Sequence, residues 1–107
     1  MEEKELYPTL VEKLNKDFSL EKDSLPALLD MTDIRNHLIN KVKELMAKDY
    51  QLFLNSLYLI DVNESKVREI LHAKDRTAIP EKLADIIIER QLLRVKTQLL
   101  YKQSKLE

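Results

Sequence analysis

Residues 33–60 read DIRNHLINKVKELMAKDYQLFLNSLYLI. In this stretch Ile39, Val42, Met46, Tyr50, Phe53, Leu57 and Ile60 recur at steps of three or four, the spacing that returns side chains to one face of an α-helix. One register kept this long predicts a single helix over 33–60, capped by Thr32 or Asp33 and about 40 Å long at 1.5 Å per residue. A break near Lys48-Asp49 is the alternative. The second half, Leu52-Phe53-Leu54 and Leu57-Tyr58-Leu59-Ile60, is apolar almost all round. Such a helix is buried on most sides, so this segment is expected at the centre of the core.

Upstream, Tyr7, Val11, Leu14 and Phe18, with Leu10 beside them, form an apolar stripe at helical period. They predict a helix over 6–15, with Pro8 tolerated in its first turn. A short helix over 24–31 follows from Ser24 as N-cap and Pro26 just inside, after a polar loop over 17–23. Downstream, Asn63 is a good N-cap for a helix over 64–73, with Val62 and Val67 at the positions of a hydrophobic staple. Asp61 with Glu64 offers a competing capping box. A last helix over 80–104 opens on Pro80 and Glu81. No strand pattern, repeat or linker interrupts these segments. The expected fold is all-α: one domain over 1–107, a bundle of four or five helices with a long central helix and a long C-terminal helix.

The chain contains no glycine, where average usage would supply about seven. Glycine is what lets a backbone take positive φ or approach a ligand closely. Its absence argues against a phosphate-cradling P-loop, a dinucleotide fingerprint, an EF-hand loop or a nucleophile elbow, and against tight Asn-Gly hairpins. With 44% hydrophobic and 35% charged residues, the composition is that of a folded chain with a heavily charged surface. There is no cysteine, hence no disulfide framework or zinc-finger site, which suits a reducing cytoplasm. The start, Met1-Glu2-Glu3-Lys4-Glu5, is acidic and unlike a secretory signal, and no apolar run approaches membrane-span length. Net charge is −1, yet residues 1–33 carry 4 basic and 9 acidic side chains and residues 34–107 carry 14 and 10. That asymmetry bears on partners, a second copy of the chain included.

The C-terminal helix has more than one face to satisfy. Ile88, Leu92, Val95, Leu99 and Leu106 share one side, and Ile86, Leu93 and Leu100 form a second seam. Arg90, Arg94, Lys102 and Lys105 lie elsewhere, and with Lys96 they make residues 90–106 carry five basic and no acidic side chains. Two apolar seams suggest two packing partners: the domain's own core and a second surface, such as another subunit.

Reactive constellations are sparse. His37 sits near Asp33, one helical turn back, and reads as a surface ion pair. Glu69 and His72 form half of a di-iron Glu-x-x-His arrangement whose second half is missing; a histidine near a helix C-terminus is the simpler account. Arg68 and His72 are similar to the Arg–His pair of HEPN-type ribonucleases, but the spacer is three residues instead of four to six, which breaks the motif. Glu81, Asp85 and Glu89 fit the acid preference of a helix start. Asn55, Asp61, Glu89, Arg90 and Gln91 lie beside strongly apolar runs, and those facing inward must hydrogen-bond to one another. Asn55, Asp61 and Arg90 are the candidate polar network.

The stretch Phe53–Val62, with Ala84–Leu92, resembles small uncharacterised all-helical bacterial proteins. The resemblance covers the C-terminal half, rests on packing residues and implies a fold but no activity. The expected function is therefore non-enzymatic: a cytoplasmic protein acting through protein–protein contacts, self-association among them, with Ile88, Leu92, Val95, Leu99 and Leu106 as interface. No cofactor, metal or membrane is expected. The alternative is nucleic-acid binding through Arg90, Arg94, Lys96, Lys102 and Lys105, against which the pI near 6.1 weighs.

Overall fold

Asp30 fixes where the first long helix begins. Its backbone is extended (φ −94°, ψ 172°) and its carboxylate accepts the Asp33 N–H at 2.8 Å, so one of the helix's orphan donors is satisfied. The cap is therefore Asp30 and not Thr32 or Asp33, because Met31 already has helical geometry. The computed structural model describes residues 3–18 and 30–106, with side chains over 5–18 and 30–102. A 3-10 turn, Glu3–Leu6, leads into α1 (Tyr7–Phe18). Then come α2 (Met31–Lys48), α3 (Tyr50–Leu59), α4 (Glu64–Leu71), a second 3-10 turn at Arg76–Ala78, and α5 (Ile79–Leu106). Among the described residues every element is helical and none is a strand, as the periodicity predicts. Of the short helix expected over 24–31, residues 24–29 lie outside the described residues.

The single helix expected over 33–60 is two helices. Asp49 (φ −153°, ψ 87°) ends α2 by donating its N–H to the Leu45 carbonyl at 2.9 Å. The same residue starts α3: its carboxylate accepts the Leu52 N–H at 3.0 Å. Aspartate competes for backbone donors in this way and so favours caps over helix interiors. Because the interruption is one residue long, the apolar register is scarcely disturbed across it. The turn does change what is buried. Phe53 and Leu57 face inward, whereas Leu52 is 58% and Leu59 83% exposed. The apolar second half is thus a helix on the edge of the bundle, not its centre.

That centre is α5. Its 28 residues span about 42 Å of a molecule 49 Å in its longest dimension, and it packs on α2, α1 and α4. Leu83, Ala84, Ile87 and Val95 on α5 are fully buried, as are Leu10 and Leu14 of α1 and Leu38 and Val42 of α2. Phe18 meets Phe53 with ring centroids 6.4 Å apart and planes tilted by 55°, a favourable aromatic geometry.

Between α3 and α4 the chain reverses through a Schellman motif. The Val62 N–H reaches the Leu57 carbonyl and the Asp61 N–H reaches the Tyr58 carbonyl, and the flanking apolar pair, Leu57 and Val62, is buried. The motif demands left-handed backbone at its penultimate position, usually glycine; here Asp61 occupies it with φ 63°. This also rules out Asp61 as a helix cap. That role belongs to Asn63, whose side chain accepts the Ser65 and Lys66 N–H groups. Replacing Asp61 by Gly is expected to leave stability within about 1 kcal/mol of the parent: the left-handed cost disappears, while the side-chain partner is lost and the unfolded chain gains freedom. Asp61→Val should cost about 1–3 kcal/mol, since a β-branched residue resists positive φ. Thermal melts of the two variants check both statements.

Candidate functional site

The first apolar seam of the last helix points into the molecule. Ile88 and Val95 are buried and Leu92 is half-buried against the core. These residues are therefore not available as an interface: α5 is sandwiched by its neighbours, and the seam with the densest branched side chains is the one they cover. Leu99 is half-buried, and the side chain of Leu106 lies outside the described residues. The second seam faces out. Leu93 is 53% and Leu100 65% exposed, with Tyr101 exposed beside them, while Ile86 at the head of the seam is half-buried.

A second apolar surface lies on α3. At 100° per residue, Leu52, Asn55 and Leu59 share its outer side, flanked by Gln51 and Tyr58. All five are exposed, and Gln51 donates a 3.1 Å hydrogen bond to Asn55. The whole helix, YQLFLNSLYL, carries no charge. An edge helix in contact with water would ordinarily be polar on that side, and clustered exposed apolar groups mark interaction surfaces.

The basic face is partly spent on internal bonds. Arg90 donates through Nε to the Ile60 carbonyl at 3.0 Å and contacts the Asp61 carboxylate at 3.4 Å, so it clamps the α3–α4 corner onto α5. Arg94 donates to Gln91 at 3.1 Å and lies 3.7 Å from Asp17. Lys96 and Lys102 are exposed; the side chain of Lys105 lies outside the described residues. The polar network pairs Arg90 with Asp61 but omits Asn55, whose amide is turned to Gln51 on the far side of α3. A second network joins Asp17, Gln91 and Arg94 between α1 and α5. Gln91 is completely buried and donates to the Asp17 carboxylate at 2.6 Å while accepting from Arg94. The signal for it is one polar residue on the buried line Ala84, Ile87, Ile88, Val95. Asp17 and Arg94 could not be matched to it without the α1–α5 packing.

Between α4 and α5 runs a groove. One part, about 190 Å³, is lined by Asp61, Val62, Asn63, Lys66, Ile86, Glu89 and Arg90. The neighbouring part, about 560 Å³, adds Glu69, Ile70, Ala73, Lys82 and Asp85. Its charged walls are mostly exposed and of both signs, so it lacks the water-excluding enclosure that strengthens electrostatic catalysis. His37 Nδ1 lies 2.8 Å from the Asp33 carbonyl, not in an ion pair with its carboxylate. His72 caps the end of α4 and is exposed. Among the described residues no three histidine, aspartate or glutamate side chains converge as a metal site would require. No described helix is long and apolar enough to cross a membrane.

Two displaced titrations are structural. The Asp85 carboxylate, 2.6 Å from Arg35 Nε, holds that guanidinium above its ordinary pKa by hydrogen bonding and then by charge; the pair ties α2 to α5 at the surface. Asp75 is held below the usual aspartate value, first by the Thr77 hydroxyl and then by the Thr77 N–H, because both donors favour the ionised form. A depressed carboxylate stabilises the fold above its unfolded pKa, and the contribution is lost as pH falls through the lower folded value. Thr77→Val should therefore move the Asp75 pKa upward toward the ordinary value, read by a carboxyl-carbon NMR titration; an unmoved titration would disprove the hydroxyl's role.

No protein-family model, curated protein or solved structure matches the chain.

Proposed function

We propose that this is a non-enzymatic helical protein that works by docking another protein onto the exposed apolar faces of α3 and the second half of α5. The observation that carries the reading is the exposure of Leu52, Leu59, Leu93 and Leu100 by more than half, while most other large apolar side chains among the described residues are covered. Leaving such groups in water forgoes about 25 cal/mol per Å² of apolar surface, and a partner recovers it. Lys96, exposed beside the α5 strip, supplies orientation, as a charge at the rim of an interface does. The absence of cysteine suits residence in a reducing cytoplasm. Nucleic-acid binding is the weaker reading, because Arg90 and Arg94 are committed to Ile60, Asp61 and Gln91.

A photo-crosslinking residue placed at Leu93 or Leu100 tests the proposal in living cells. Discrete protein adducts are expected from both positions and not from Lys43, which is exposed on α2. Adducts from all three alike, adducts to nucleic acid, or none at all would refute it.

A further inference from the structure

Apolar packing alone leaves the position of α1 along α5 undecided. Leu6, Leu10, Leu14 and Phe18 recur at every fourth residue, and all are buried. On α5, Leu83, Ile87, Gln91 and Val95 recur at the same interval, and each is completely buried. The two helices pack on one another. Rows of this kind are ridges, and ridges of equal spacing interlock again after a shift of one turn. Three of the four residues in the first row are leucine, so the shift sets leucine where leucine stood over much of the contact. Interiors matched only in size and hydrophobicity lose a unique arrangement before they lose stability.

One residue in the two rows is polar. Among the described residues Gln91 is the one buried polar residue. It donates to the Asp17 carboxylate at 2.6 Å and accepts from Arg94 at 3.1 Å, and Arg94 lies 3.7 Å from Asp17. These contacts join one point on α1 to one turn of α5. A leucine tolerates a neighbour displaced by a turn. A buried amide does not, because its N–H needs an acceptor within reach. A shift of four residues carries Asp17 about 6 Å away in either direction. In one direction it also brings Lys13 toward Arg94, like charge against like.

We infer that Asp17, Gln91 and Arg94 form a register lock, which fixes the position of α1 along α5. A lone polar residue in an apolar seam sets the register of coiled coils in the same way. The lock also seats α3, because Phe18, next to Asp17, is the residue that meets Phe53. It goes beyond the docking reading and does not depend on it, since it acts within a single chain.

Double electron–electron resonance on the full chain reads the position of α1 directly. The chain has no cysteine, so nitroxides on Lys16→Cys and Lys82→Cys, both exposed positions, report one distance between α1 and α5. The chain carrying only these labels should give a single distance. Adding Gln91→Leu should give a second one, displaced by as much as about 6 Å. Asp17→Leu should do the same, and its position at the edge of the contact keeps the test open should Gln91→Leu fail to fold. Leu14→Ala opens a cavity in the same contact but leaves the polar groups in place, so it should keep the single distance. Two distances in the parent, a single one in Asp17→Leu, or a second one in Leu14→Ala overturns the inference.

Discussion

Phe53→Ala is expected to cost about 3–5 kcal/mol, the range for removing a buried aromatic side chain. Phe53 is covered on all sides although its helix lies at the edge of the bundle, and it meets Phe18. The loss therefore combines transfer of the ring to water with a cavity between α1 and α3. Against a total stability of about 5–15 kcal/mol for a domain, it removes a large share. The melting temperature should fall by roughly 12–40 °C at about 4–8 °C per kcal/mol. A double-mutant cycle with Phe18→Ala should return a coupling of about 0.5–1.5 kcal/mol from the ring pair. A loss below about 1 kcal/mol for Phe53→Ala would mean that α3 is not docked as described.

The second large effect is at Gln91. Truncation to Ala removes a donor from the Asp17 carboxylate and an acceptor from Arg94, and leaves a void in the α1–α5 contact. Together these should cost about 2–4 kcal/mol. Gln91→Leu keeps most of the volume and loses only the hydrogen bonds. Asp17 and Arg94 are both partly open to water and can be resolvated, so the cost should be about 1–2 kcal/mol. Urea unfolding of the two variants separates packing from polar loss. If neither variant lowers the midpoint, the Asp17–Gln91–Arg94 chain of bonds carries no stability.

Local chemistry was readable in advance, and assembly was not. Asn63 as a cap, Pro8 in a first turn, and Pro80 with Glu81 at the head of the last helix are decided by a residue's own backbone and its next three neighbours. The stripe of Leu10, Leu14 and Phe18 is likewise a local fact, and α1 runs on to Phe18 because that stripe does. At Asp49 the alternative of a break near Lys48-Asp49 holds and the single continuous helix does not. An apolar period survives a one-residue break, so periodicity alone cannot register it; the acidic residue was the only sign. Which seam of α5 faces the core was beyond reach for another reason. Both seams are apolar, and the choice is made by α1, α2 and α4, whose positions depend on contacts distant in sequence. For the same cause Gln91 could be marked as a polar residue beside apolar runs but not joined to Asp17, 74 positions away.

A rod packed on α1, α2 and α4 together ties the described helices into one cooperative unit. Between Leu83 and Val95 the side chains of α5 are buried at Leu83, Ala84, Ile87, Ile88, Gln91 and Val95 in a helix packed on α1, α2 and α4, so its amides there should exchange with solvent mainly through global opening. From Lys96 to Lys102 no side chain of the same helix is buried, and those turns should open independently of the rest. Deuterium uptake along this one helix would thus pass from the slowest in the protein to among the fastest.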